Sequence, residues 1–252
     1  MPGDEILLQA FAHLPQHADE ARAQAKEQDE TATRRGYTTL DTVIARGSTL
    51  SFELSLAQAT VEDGVQHLRW QGETAYKGFT ARIADTAKGN LSGKLIVSQD
   101  SVPIGRIVFQ VKVGAVAEVT AKPTGEARHY HKAFISYASK DRTEVLKRVQ
   151  MLRLHHIDFF QDVLDLDPGE RWEKALYKHI DDADLFLLFW SSAALASEWV
   201  KKELDYAAER KHGVAEADPD IVPVIIEGPP PAAAPKGYEY LHFNDRLTYF
   251  MR

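Results

Sequence analysis

The chain has 252 residues, 44% hydrophobic and 27% charged, with a formal net charge of -7 and no cysteine. This is the composition of a soluble globular protein long enough for two domains. It excludes disulfides, thiolate metal sites and cysteine nucleophiles, and its acidic balance argues against nucleic acid or an anionic membrane as a general partner.

Residues 1–36 are rich in Ala, Gln and Glu and read as an N-terminal helical segment broken at Pro15. The later part, HADEARAQAKEQDETATRR, has almost no apolar residue larger than Ala and can bury little by itself. The opening MPGDEILLQAF carries acids where a secretory signal carries bases, so no targeting segment is expected. No apolar run approaches the ~18–20 residues that span a bilayer, and the absence of cysteine fits a cytoplasmic location.

From Tyr37 the pattern turns to period two. Leu50, Phe52, Leu54 and Leu56 alternate with polar residues, as do Ile107, Phe109, Val111 and Val113, and shorter strand candidates lie between turn signals such as AKGNLSG and QDSVPIG. Residues 37–114 are therefore expected to form a small all-β, sandwich-like domain. Arg82 and Arg106 could contact an anion, but read as solvated strand residues. Residues 115–130, with Pro123 and Gly125, hold no sustained pattern and read as a linker.

Over 131–252 short apolar runs alternate with helical ones. KAFISY, IDFFQD, DLFLLFW and DIVPVIIEG read as strands, with KDRTEVLKRVQMLRL, PGERWEKALYKHIDDA and SEWVKKELDYAAERKHG as the helices between them. That alternation predicts α/β architecture, a doubly wound parallel sheet covered on both faces, with its ligand crevice at the carboxyl ends of the strands. The loops beginning at Ser136, Asp162 and Ser191 should face one site. After the stiff, proline-rich GPPPAAAPKG, the segment YLHFND reads as a last strand.

The usual phosphate cradles, a Walker A loop or GxGxxG after a strand, are missing. The acidic loop DVLDLDPGE fails the spacing of a calcium loop, since Glu170 stands where a glycine is needed and Leu176 where a bidentate glutamate is needed. His129, His131, His155 and His156 read as surface or packing residues, so no metal is expected. Pro168, Gly169 and Glu170 make a well-capped helix start. Trp199 and Glu203 stand at i and i+4, presenting an aromatic plane and a carboxylate together on a helix surface.

In order and spacing, KAFISYASKD, FFQDVLDLDPGERWEKAL, DADLFLLFWSSAAL, SEWVKKEL and IVPVII resemble a bacterial TIR (Toll/interleukin receptor) domain from about Lys132 onward. The resemblance implies a flavodoxin-like fold and a BB loop that mediates assembly and borders the pocket, here carrying Asp162, Asp165, Pro168, Gly169 and Trp172. Many such domains cleave NAD+ at the nicotinamide glycosidic bond with a glutamate in a WxxxE pattern. Trp199 to Glu203 reproduces that pattern, so the resemblance gives Glu203 the catalytic role. It places Ser136, Tyr137, Ala138, Trp190, Ser191 and Trp199 around the substrate, with Ala138 standing where some active relatives carry an arginine. It further implies NAD+ as substrate and not cofactor, and self-association through the TIR domain. It says nothing of the residues before the linker, where the N-terminal domain is expected to sense a protein or small-molecule trigger or to assemble the chain. The expected activity is an NAD+ glycohydrolase of bacterial immunity, such as antiphage defence, or of virulence; the alternative is a non-catalytic TIR scaffold.

Overall fold

The computed structural model describes residues 2–28, 39–113, 125–161, 172–214, 216–228, 230–241 and 243. The chain divides into two compact units, Met1–His129 and Tyr130–Arg252. Among the described residues no helix is long and apolar enough to cross a membrane.

The first unit contains strands β1 (Glu5–Ala12), β2 (Thr49–Leu56), β3 (Ala59–Glu62), β4 (Val65–Arg69), β5 (Ala75–Ile83), β6 (Gly89–Gln99), β7 (Val102–Val113) and β8 (Glu126–His129), with helix α1 (Ala18–Gln28) after β1. They form two antiparallel sheets, ordered β1-β5-β3 and β4-β2-β6-β7-β8. Phe79, Ala81 and Ile83 of the smaller sheet share one core with Leu50, Phe52, Leu54, Leu91, Leu95, Phe109 and Val111 of the larger, which makes the unit a sandwich. The expected alternation in β2 and β7 is present, with one irregularity. The β6–β7 register steps from Val97↔Gly105 to Ser98↔Pro103, leaving Ile104 as an extra, bulged residue. The bulge changes parity, so Ile104 and Ile107 both reach the same core.

Three expectations for this unit are corrected. The helical reading of residues 1–36 fails over its first stretch, where Glu5–Ala12 is a strand paired with β5 along its whole length, from Glu5↔Arg82 to Ala12↔Ala75. EILLQAFA satisfies both periodicities, and Ile6, Leu8, Ala10 and Ala12 alternate into the sandwich core, so pairing decides in favour of the strand. The helix begins only after the turn at Pro15–His17, and residues 29–38 lie outside the described residues. Within the expected linker 115–130, Glu126–His129 is a strand added to β7, from Gly105↔His129 to Val108↔Glu126; EARH has no strand pattern of its own, and the edge of β7 supplies its backbone partners. Finally, Arg106 is not solvated but 7% exposed. Arg82 is exposed and ion-paired with Glu5 at 2.5 Å.

The second unit comprises β9 (Lys132–Ser136), α2 (Arg142–Leu154), β10 (Asp158–Gln161), α3 (Trp172–Asp181), β11 (Leu185–Trp190), the short α4 (Ser192–Leu195), α5 (Glu198–Arg210) and β12 (Asp220–Ile225). Its four strands are parallel and ordered β10-β9-β11-β12, or second, first, third, fourth along the unit, the doubly wound order. Both β11 and β12 are buried at every residue, as strands covered on two faces must be. Phe160, Phe134 and Phe186 stand in register across three strands, with ring centroids 5.7 and 5.4 Å apart. They join Leu176 and Ile180 of α3 and Val200, Leu204 and Ala207 of α5 in one core.

The expected last strand, YLHFND, does not form over its described part, since Tyr240 and Leu241 lie in turns. Among the described residues β12 lies at the edge of its sheet. The N–H groups of Asp220 and Ile226 point to β11, so the alternate position Pro223 faces outward and offers no donor to a fifth strand.

Candidate functional site

The carboxyl edge of the parallel sheet collects the polar residues that the fold does not need for packing. Helix α5 starts at Ser197, whose Oγ accepts from the Val200 N–H at 3.3 Å, and it buries Val200, Glu203, Leu204 and Ala207. That i, i+3, i+4, i+7 set is the apolar stripe of an amphipathic helix, and one of its four places holds an acid. Glu203 is 2% exposed, so its reading as a surface residue is corrected. The stripe faces the sheet, and position 203 lies on it.

Ser136 meets this carboxylate. It is the last residue of β9, 1% exposed, and its Oγ donates to Glu203 Oε2 at 2.6 Å. A buried carboxyl group is costly unless hydrogen-bonded, and this bond is a short one. Ala138, two residues on, joins the core that holds Val200 and Leu204. Tyr137 between them is buried as well. Trp199 is half-buried against the same core, with Lys202 Nζ 5.1 Å from its ring centroid.

The neighbouring loops are tied by two further serine–carboxylate pairs. Ser191 follows β11 and caps α4 by accepting from the Ala194 N–H at 3.0 Å, while its Oγ donates to Asp141 Oδ2 at 2.5 Å. Asp141 occupies the N-cap position of α2 without capping it, and so links the loop after β9 to the loop after β11. Glu227, after β12, accepts from the Ser192 N–H and Oγ, each at 2.6 Å. The Ser192 hydroxyl first, then its N–H, holds the Glu227 carboxyl below the usual carboxylate range.

Trp190 is placed differently from the others. Its Nε1 donates to the carbonyls of Ala232 and Ala233 at 3.2 Å, and Phe243 packs edge-on at 5.3 Å. The indole thus anchors the proline-rich segment. Tyr238 fastens the same segment to α5 by donating to Asp205 Oδ1 at 2.6 Å; burial, then Asp205, pushes its phenol up. Asp162, Asp165, Pro168 and Gly169 lie outside the described residues, and Trp172 is described only as the first residue of α3.

The structure therefore brings Ser136, Ala138, Trp199 and Glu203 to one region and gives Trp190 and Ser191 supporting contacts beside it. Asp141 and Glu227 escaped the sequence reading. Their one signal was position, since each is an acid a few residues beyond a strand's carboxyl end. Among the described residues no three His, Cys, Asp or Glu side chains gather as a metal site. Residues 133–250 match the family model described as TIR domain. No curated protein matches the chain.

Proposed function

A TIR domain occupies residues 133–250 of this chain, and from that premise we propose that the protein is an NAD+ glycohydrolase with Glu203 as its catalytic carboxylate. The observation that carries the reading is an acid at 2% exposure in the apolar stripe of α5, at the carboxyl edge of the sheet. Packing alone would fill that position with an aliphatic side chain; polar groups held in buried positions at a cost in stability are characteristic of functional sites.

The chemistry needs one carboxylate. When the bond from the anomeric carbon to the pyridinium nitrogen breaks, its electron pair neutralises the ring and nicotinamide leaves uncharged, so no general acid is required. The ribose acquires oxocarbenium character, and a fixed anion beside it lowers the barrier most where water is excluded. Water, or a nucleophile within the ADP-ribose itself, then forms the new bond at the anomeric carbon and releases its proton to solvent, giving linear or cyclic ADP-ribose. Trp199 offers an apolar wall beside the reacting sugar.

Burial of Glu203 also supports gating. TIR domains commonly self-associate, and assembly, or a trigger bound by the N-terminal sandwich, would open the carboxyl edge to NAD+. A role in bacterial immunity or virulence accords with such a gate. The second reading, a non-catalytic TIR scaffold, draws on the same pair of residues, because a carboxylate already bonded to Ser136 could be a structural polar pair. Incubating the purified chain with NAD+ over a range of protein concentrations, with and without forced clustering, and following free nicotinamide separates the two. Release that rises more than linearly with concentration and falls about a hundredfold or more in Glu203→Gln supports the hydrolase; silence after clustering favours the scaffold.

A further inference from the structure

We propose that Ser136 is the positioning residue of Glu203, an inference that rests on the glycohydrolase reading. Both members of the pair are almost fully buried, at 1% and 2% exposure, and the bond between them is short, at 2.6 Å. Bulk water therefore cannot take over the solvation of this carboxylate oxygen if the hydroxyl is removed.

The serine is fixed more firmly than a loop residue could be. It closes β9, an interior strand of the sheet, directly after Ile135↔Gln161 on the β10 side and at Ser136↔Leu188 on the β11 side. Glu203, by contrast, ends a side chain with three rotatable bonds. A donor on a paired strand removes that freedom, and a carboxylate held in one orientation stabilises a cation without reorganising as charge develops.

The choice of a hydroxyl also matters. A lysine or arginine at 136 would cancel the charge that is to act on the ribose, whereas a hydroxyl solvates the anion and leaves its charge in place. Packing gives no reason for the pair: Val200, Leu204 and Ala207 on the same stripe are apolar and fully buried, and an aliphatic residue at 203 facing alanine at 136 would complete that surface.

The test uses the full chain under clustering, with NAD+ as substrate and nicotinamide release resolved into kcat and KM. Ser136→Ala should lower kcat about 10- to 100-fold, the range of a lost bond to a charged group, with KM within about twofold. Ser136→Thr, which keeps the hydroxyl, should recover most of that loss. The double variant Ser136→Ala with Glu203→Gln should be no slower than Glu203→Gln alone, because the serine acts only through the glutamate. Wild-type kcat in Ser136→Ala, or losses that multiply in the double variant, would overturn the positioning role while leaving the glycohydrolase standing. A clustered wild type that releases no nicotinamide overturns both. Thermal melts of each variant separate loss of fold from loss of rate.

Discussion

Two glutamates lie near the carboxyl edge of one sheet, and each accepts a serine hydroxyl at 2.6 Å, yet they live under different physics. Glu227 is exposed and holds the start of the four-residue α4 through the Ser192 hydroxyl and N–H. Glu203 is buried in the stripe of α5. A serine hydroxyl thus serves a modest local clamp in water in one place and a costly buried carboxyl group in the other. The difference teaches that a shared hydrogen-bond pattern does not set one acid apart from the other; burial in a place meant for an aliphatic residue does.

Substitutions on and around the two acids sharpen that comparison. Leu204→Ala, one residue from Glu203 on the same stripe, should cost about 2–5 kcal/mol in denaturant melts. Glu203→Gln should invert that outcome. Nicotinamide release falls about a hundredfold or more, while the melting temperature stays close to that of the wild type because volume and an oxygen acceptor for Ser136 are retained. A Glu203→Gln protein that unfolds like Leu204→Ala would make the acid structural and remove the contrast. Trp190→Phe deletes the donor that holds the Ala232 and Ala233 carbonyls; a loss of about 1 kcal/mol is expected, with faster proteolysis of the proline-rich segment as the local readout.

The smallest effect belongs to Glu227→Gln, at most about 0.5 kcal/mol after solvent screening, with nicotinamide release within about twofold of the wild type. Its signature is pH. Because Ser192 holds the folded-state carboxyl below its unfolded value, the contribution is present above the ordinary carboxylate range and is lost as pH falls through the folded value. The stability difference between wild type and Glu227→Gln should therefore shrink on acidification. A difference that grows towards acid would reverse the sign and remove the clamp.

Much of the architecture was legible in the residues. Alternation of Leu50, Phe52, Leu54 and Leu56, or the unbroken LFLLFW, reports whether a strand is covered on one face or two, because side chains alternate with period two. Elsewhere the residues were silent. EILLQAFA fits both periods, and only its pairing with Ala75–Ile83 makes it a strand. EARH has no pattern at all, and Pro223 reads as an ordinary strand residue until the register shows which way its missing N–H points.

For the site, the sequence by itself determined the helix and the place of Glu203 three residues after Val200 and one before Leu204, since faces follow from a fixed period of 3.6 residues. The residues there show a helix, and not which of its faces is buried. Only the tertiary structure decided that this face lies against the sheet and that the partner of Glu203 is Ser136, 67 residues earlier in the chain. Local periodicity fixes which residues share a face. What that face meets is set by the order of strands in the sheet, which depends on contacts between segments far apart in sequence and has no local signature.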